Sequence, residues 1–167
     1  QYGAKVLYPR PKKLSDDYAK IIDVIKYEIK NLEDKKIKFK NICCIFPAAA
    51  FIKKSYLSKS LILLKKIKFK GFVFVANEIK KNKLRSFYFK KDKLNLVCED
   101  FQNTRTQDLP RIYIDSGQFY WGEKKLWLKE KSVFIKNSKC YHLPRFKSID
   151  IDNLADWKEA EFYAKKK

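Results

Sequence analysis

The 167-residue chain contains no methionine, only four glycines, five prolines and one histidine, and its acidic residues number 19 against 39 lysines and arginines. Each shortage excludes something. With His142 the only histidine, and no Cys-x-x-Cys pair among Cys43, Cys44, Cys98 and Cys140, a closed zinc site lacks ligands at a workable spacing. No stretch approaches the ~20 consecutive apolar residues of a membrane span, and the opening residues carry no signal-peptide pattern. No membrane partner is expected, and a reduced, cytoplasmic setting fits the unpaired cysteines. A chain opening on Gln1 without any methionine is expected to be a fragment or a processed product. Scarce glycine and proline beside abundant Ile, Phe, Tyr and Asn point to AT-rich coding, which enriches lysine without any selection for a polyanion.

What is present is a foldable core. Hydrophobic residues make up 46% and aromatics 16%, too apolar for a disordered chain. The length suits one domain, residues 1–167. The formal charge of +20 would by itself suggest nucleic acid. Its distribution argues against that reading: lysine pairs recur from Lys35-Lys36 to Lys124-Lys125 and read as solvated faces.

Periodicity places the elements. Tyr18, Ile21, Ile22, Ile25, Ile29 and Leu32 share one helical face, which predicts a helix over 15–32 capped by Ser15. Asn41 to Phe46 is a short apolar run stopped by Pro47, as expected of a strand buried on both faces of a parallel sheet. A second helix is expected over about 53–67, and a second buried strand over Phe72 to Val75, giving a strand–helix–strand crossover. Ligands in such sheets bind beyond the carboxyl ends of the strands, here near Pro47 to Phe51 and Ala76 to Glu78. Shorter strands are expected at Phe87 to Phe89, Leu94 to Val97, Gln118 to Trp121 and Leu126 to Leu128. A last amphipathic helix, about 153–165, would pack through Leu154, Trp157, Ala160 and Phe162.

Two constellations carry chemistry. Asp150 and Asp152 stand at i and i+2 of an extended segment, so both carboxylates face one side while Ile151 turns to the core. That geometry suits one hard divalent cation such as Mg2+, although an Asp just before a helix is also a common N-cap. The polar run Asn103-Thr104-Arg105-Thr106-Gln107-Asp108-Leu109-Pro110 leads to Asp115-Ser116-Gly117-Gln118-Phe119-Tyr120-Trp121-Gly122. Arg105 offers a planar fork for a carboxylate, and the glutamines can meet hydroxyls or amides.

In this order, with Arg10-Pro11 through Ser15-Asp16-Asp17 and Cys43 through Phe51 before them and Asp156-Trp157 after, the segments resemble the CMP-sialic acid synthetase (acylneuraminate cytidylyltransferase) family, most nearly its pseudaminic acid branch. The resemblance implies an α/β, doubly wound, mostly parallel, three-layer sheet of the nucleotide-diphospho-sugar transferase type, with a small inserted dimerisation subdomain at about 119–145. It implies transfer of CMP from CTP to a nine-carbon 2-keto sugar acid with release of pyrophosphate, Mg2+ as cofactor and a homodimer. Asp150 and Asp152 would hold the metal and act in catalysis, one of them also helping to deprotonate the sugar hydroxyl. Arg10, Asp16, Ala19, Pro47 and Ala48 would surround the nucleotide. Arg105, Gln107, Tyr113, Gln118, Phe119 and Phe134 would form the sugar-acid pocket, Phe134 across the dimer interface.

Three departures stand out. Pro47-Ala48-Ala49-Ala50 replaces the family's Pro-Thr-x-Pro, and Ile114 stands where a polar or basic residue is usual. The family's first strand and its Gly-Ser-Lys-Arg phosphate loop would precede Gln1, so this chain alone is expected to be inactive. A degenerate homologue that binds an intact partner, and a basic nucleic-acid-binding protein, are the alternative readings.

Overall fold

The computed structural model describes residues 3–5 and 8–166; Gln1 and Lys167, the ends of the expected single domain, lie outside them. The elements follow in the order α1 (Ile21–Asp34), β1 (Asn41–Ile45), α2 (Lys54–Lys66), β2 (Val73–Ile79), β3 (Phe87–Lys90), β4 (Lys93–Leu96), β5 (Ile112–Glu123), α3 (Lys124–Lys129), β6 (Lys139–His142) and α4 (Leu154–Lys165). β1, β5, β2 and β6 form one four-stranded mixed sheet in that spatial order, and β3 and β4 form a separate hairpin.

Three of the four main strands run the same way. The fourth, β5, runs against them and lies between β1 and β2, so the expected strand–helix–strand unit joins two like-directed strands that are not neighbours. The length of β5 makes this arrangement possible: Phe119 to Glu123 pair with β1, while Ile112 to Asp115 and Tyr120 to Trp121 pair with β2. In consequence β1 is an edge strand and only half-buried, not buried on both faces as its apolar run suggests.

Alternating side chains serve two cores. On one face Ile22, Ile25 and Ile29 of α1 pack with Phe72, Tyr120, Leu126 and Trp127, joined by Ile42, Cys44 and Phe74 from the strands. On the other, Val75, Phe119 and Leu143 meet Tyr56 and Leu57 of α2, with Cys43, Trp121 and Tyr141 beside them. Helices therefore cover both faces of the sheet. The thiols of Cys43 and Cys44 are pushed up to about 12 and about 11 by burial, which marks them as packing groups rather than nucleophiles.

Several local expectations shift. α1 begins at Ile21, not at Ser15, because Asp16 Oδ1 accepts the Tyr18 backbone N–H at 3.0 Å and holds a turn that competes with the helix. Tyr18 is left 92% exposed. Leu126 to Leu128 form part of helix α3 rather than a strand; a run of lysines and leucines favours helix, and three residues of alternation are too short to decide otherwise. α4 buries Ala160 against Phe51 and Ile149, whereas Leu154, Trp157 and Phe162 are exposed. Residues 119–145 supply the end of β5, all of α3 and β6, and so belong to the sheet and its core. The element that stands apart is the β3–β4 hairpin, where Phe87 faces Leu96 and Phe89 faces Leu94, with Phe87, Phe89 and Leu94 exposed. Among the described residues, no helix is long and apolar enough to cross a membrane.

Trp127 has no exposed surface and packs edge-on against Phe72 at 4.9 Å. Trp127→Ala is expected to cost about 3–5 kcal/mol of unfolding free energy in urea titration. Ile62→Ala, on the exposed side of α2, should stay within about 0.5 kcal/mol.

Candidate active site

The site is built by an irregularity in β5. Phe74 pairs with Tyr120 and Ala76 with Asp115, so four residues of β5, 116–119, stand opposite Val75 alone. Such a bulge bends the strand and re-aims its side chains. Ser116 fastens it by donating to the Val75 carbonyl at 3.2 Å, and Asp115 Oδ1 accepts the Gly117 N–H at 3.3 Å. Gly117 takes φ +57°, a left-handed conformation that glycine adopts without strain. The absent side chain matters as much: a Cβ at this position would lie 2.7 Å from Cγ of Asp150, inside contact distance. The Asp150 carboxylate occupies the space that a side chain at 117 would fill.

Around it lies a cavity of about 240 Å³ at the carboxyl end of β2, lined by Asn77, Asp115, Ser148, Asp150, Asp152, Asp156 and Arg145 among others. Asn77 is buried and donates to the Leu143 carbonyl and to Ser148 Oγ, both at 2.7 Å, which ties the end of β2 to the segment leading to Asp150. Ile151 packs inward on the cluster of Phe51, Ile149 and Ala160, while the aspartates on either side of it line the same cavity. The capping role falls to neither of them. Asn153 is the N-cap of α4, accepting from Ala155 and Asp156 N–H groups, and Asp156 closes a capping box. Asp156 Oδ2 also accepts the Asp152 N–H at 3.3 Å and so fixes the backbone beneath that carboxylate.

Electrostatically the cavity is starved of positive charge. The Asp150 carboxyl is raised above its ordinary value, first by burial and then by the charges of Asp152, Asp115 and Asp156. Arg145 is the nearby counter-ion: its fork grips Glu159 at 3.2 and 2.9 Å, and Nη2 lies 3.8 Å from Asp156 Oδ1. Tyr120 donates its hydroxyl to Asp115 Oδ2, and burial followed by that bond raises the phenol well above its usual range. Among the described residues, no three histidine, cysteine or carboxylate groups are arranged to hold a metal ion by themselves.

The other residues singled out in the sequence are scattered. Gln118 is 2% exposed and spends its amide N–H groups on the Ser116 and Ile149 carbonyls at 2.9 and 3.2 Å; Phe119, 1% exposed, is core. Both are removed from any ligand surface in this conformation. Arg105 and Gln107 are exposed on a loop tied to the turn at Lys81–Arg85 by Arg85 to Thr106 Oγ1 at 2.6 Å, and neither lines the acidic cavity. Phe134 is exposed with its ring edge-on to Phe74, and Tyr113 lies over His142 with ring centroids 4.6 Å apart. Arg10 and Asp16 are exposed and Ala19 half-buried; Arg10 is near enough to Cys44 for its charge to favour the thiolate. Pro47 and Ala48 form a turn one residue beyond the end of β1. Sequence reasoning missed the parts played by Asn77, Asp115, Arg145, Ser148 and Asp156. Asp115 and Asp156 stood within the recognised segments, but only folding brings them to Asp150.

Two outcomes follow from this geometry. Gly117→Ala should lower stability by about 1–2 kcal/mol from backbone strain alone and displace the Asp150 carboxylate, read by denaturation and by a structure of the variant. A carboxyl whose folded pKa is raised contributes stability at low pH that is lost as the pH rises through that value. Asp150→Asn should therefore melt higher than the parent at pH 7, with the difference closing as the pH falls below the ordinary aspartate value of about 3.9.

No family model matches the chain. It is 32% identical to a pseudaminic acid cytidylyltransferase of Campylobacter jejuni subsp. jejuni serotype O:2, over 166 residues that make up 99% of this chain and 71% of the relative. The same identity and coverage hold for the enzyme of that name from serotype O:23/36. A Helicobacter pylori protein named as both pseudaminic acid cytidylyltransferase and UDP-2,4-diacetamido-2,4,6-trideoxy-beta-L-altropyranose hydrolase is 31% identical over 151 residues, 90% of this chain and 28% of that longer protein. Similarity of this extent, running through the β5 bulge and the Asp150 segment alike, shows that the chain belongs to the pseudaminic acid cytidylyltransferase family.

Proposed function

We propose that the chain serves the reaction for which its relatives are named, transfer of CMP from CTP to a nine-carbon sugar acid, pseudaminic acid foremost, with release of pyrophosphate. The observation that carries this reading is the 32% identity across 99% of the chain. The acidic cavity supplies a place for the chemistry. Asp150 and Asp152 would hold a magnesium ion, with waters and triphosphate oxygens completing its shell, because two carboxylates without a third ligand suit that ion's preference. Bound there, magnesium would offset the negative charge that develops as the α-phosphate is attacked. The residues do the rest. Gly117 leaves room for Asp150, Asp156 holds Asp152 from below, and the raised carboxyl of Asp150 reflects a cavity in which added positive charge is favourable. The sugar's attacking hydroxyl sheds a proton, and the same pair provides the carboxylate to receive it. Arg10, Asp16, Ala19, Pro47 and Ala48 are assigned to the nucleotide.

The homodimer implied by the resemblance is assigned to the hairpin, whose apolar row of Phe87, Phe89 and Leu94 stands uncovered. Phe89→Glu would then shift the sedimentation coefficient to that of a monomer.

We expect the chain to bind CTP in a magnesium-dependent manner. Calorimetric titration tests the reading. CTP should bind only with magnesium present, and Asp150→Asn or Asp152→Asn should weaken it by at least about tenfold, roughly 1.4 kcal/mol. Binding that ignores both magnesium and the two substitutions would sink it.

A further inference from the structure

A cavity of about 400 Å³ opens where the start of α2, the turn Arg145–Lys147 and the end of α4 come together. Its walls are aromatic, formed by Phe51, Tyr56, Phe146 and Tyr163, and its charge comes from Lys53, Lys147 and Lys166. Among the described residues it shares no lining side chain with the acidic cavity, and the cytidylyl-transfer reading makes no use of it. We infer that it is a second binding site, for a small aromatic carboxylate whose ring enters among the aromatic side chains and whose charge meets the lysines.

The aromatic walls are held by packing. Phe51 is buried in the cluster of Ile149 and Ala160, and Tyr163 lies against that cluster. The Phe146 ring meets Tyr163 with centroids 5.6 Å apart and planes 35° apart, and Tyr56 is tilted against Tyr141 at 6.2 Å. Water in a space lined this way finds few hydrogen-bond partners, so an apolar body that displaces it gains from leaving solvent. A ring gains more than an alkyl chain of the same area, because the edges and faces of the walls complement its quadrupole. The volume lies within the range of small-ligand sites, about 300–1,000 Å³.

The sign of the charge is decided by what the lining omits. With 39 lysines and arginines in the chain, cations near a cavity are expected anywhere. Carboxylates line the other cavities, Glu78, Glu33 and Glu161 among them, but among the described residues none lines this one. Nor, among those residues, is Lys53, Lys147 or Lys166 engaged in an ion pair. Lys147 Nζ lies 5.3 Å from the centroid of the Phe146 ring, which sets a cation against an aromatic wall. The hydroxyls of Tyr56 and Tyr163 make no hydrogen bond among the described residues, so each is a donor for a carboxylate oxygen. Without a lining carboxylate the cavity has no ligand for magnesium, and a hydrated metal–triphosphate has no counterpart in its apolar walls. One compact anionic head on an apolar ring satisfies both halves of the lining.

The test titrates the whole chain with 2-naphthoate by saturation-transfer NMR, without magnesium, beside two companions: uncharged 2-naphthamide and ringless octanoate. The naphthoate should bind saturably, and each companion should bind at least about threefold more weakly, the scale of exposed charge pairs and of ring contacts. Replacing both Lys53 and Lys147 by glutamine should weaken the naphthoate by at least about threefold and leave the naphthamide unchanged. Phe146→Ala, which removes a wall but no charge, should weaken both. Lys65→Gln, a loss of charge on α2 away from the cavity, should alter neither, and adding magnesium should not shift the naphthoate affinity. No saturable binding, or a naphthamide or octanoate that binds as tightly as the naphthoate, overturns the site. So does naphthoate binding that survives both the lysine and the Phe146 substitutions, since the ring would then sit elsewhere, as on the exposed hairpin. Should Phe146→Ala lose its circular dichroism, the lysine double variant decides the matter alone. Because the titration contains no CTP, its outcome is independent of whether the cytidylyltransferase reading holds.

Discussion

The close approach of the Asp150 carboxylate to Gly117 is the contact on which the remaining geometry depends. It needs a residue without a side chain, in a left-handed conformation, at one point of β5. The bulge supplies that point by placing residues 116–119 opposite Val75 alone. β5 is also the strand that joins β1 to β2, so the irregularity that opens the site sits in the strand that holds the sheet together. A regular strand here would extend its pairing with β2 and close the space into which Asp150 fits.

Around that contact the fold concentrates charge that the rest of the chain dilutes. The chain carries an excess of 20 positive charges, yet Asp115, Asp150, Asp152 and Asp156 share a cavity in which, among the described residues, Arg145 is the only lining cation. The ionised form of Asp150 is disfavoured by burial and by its neighbours, and such an arrangement costs stability unless something positive enters. Arg145 offsets part of it through Asp156, but is itself held by Glu159. Stability and function pull against each other here, as is common where carboxylates are gathered for a cation.

The comparisons and the geometry converge from different directions. Identity to the Campylobacter jejuni enzymes runs over 99% of the chain and speaks for the family. The structure sorts residues within it. Asp150 and Asp152 do face one cavity with Ile151 turned to the core, as their alternation suggests. Gln118 and Phe119, adjacent in the same recognised segment, turn out to hold the bulge and the core instead.

The sequence alone determined what depends on local order: α2, the hairpin strands and α4 within a residue or two, the start of β2 though not its end four residues further on, the facing of Asp150 and Asp152, and the family, whose motifs survive as short runs in fixed order. Periodicity records which side of an element is apolar, and that suffices for elements packed on one neighbour. It could not place β5 between β1 and β2, because which strands pair is a long-range choice that alternation does not encode. Nor could it foresee that Ser15 would lose its helix to the Asp16 turn, or that the sheet would bury Gln118. The tertiary structure alone decided the cavity. Asp115, Arg145 and Asp156 come from separate elements, and only the bulge, the Asn77 bonds and the Asn153 cap bring their charges within reach of Asp150.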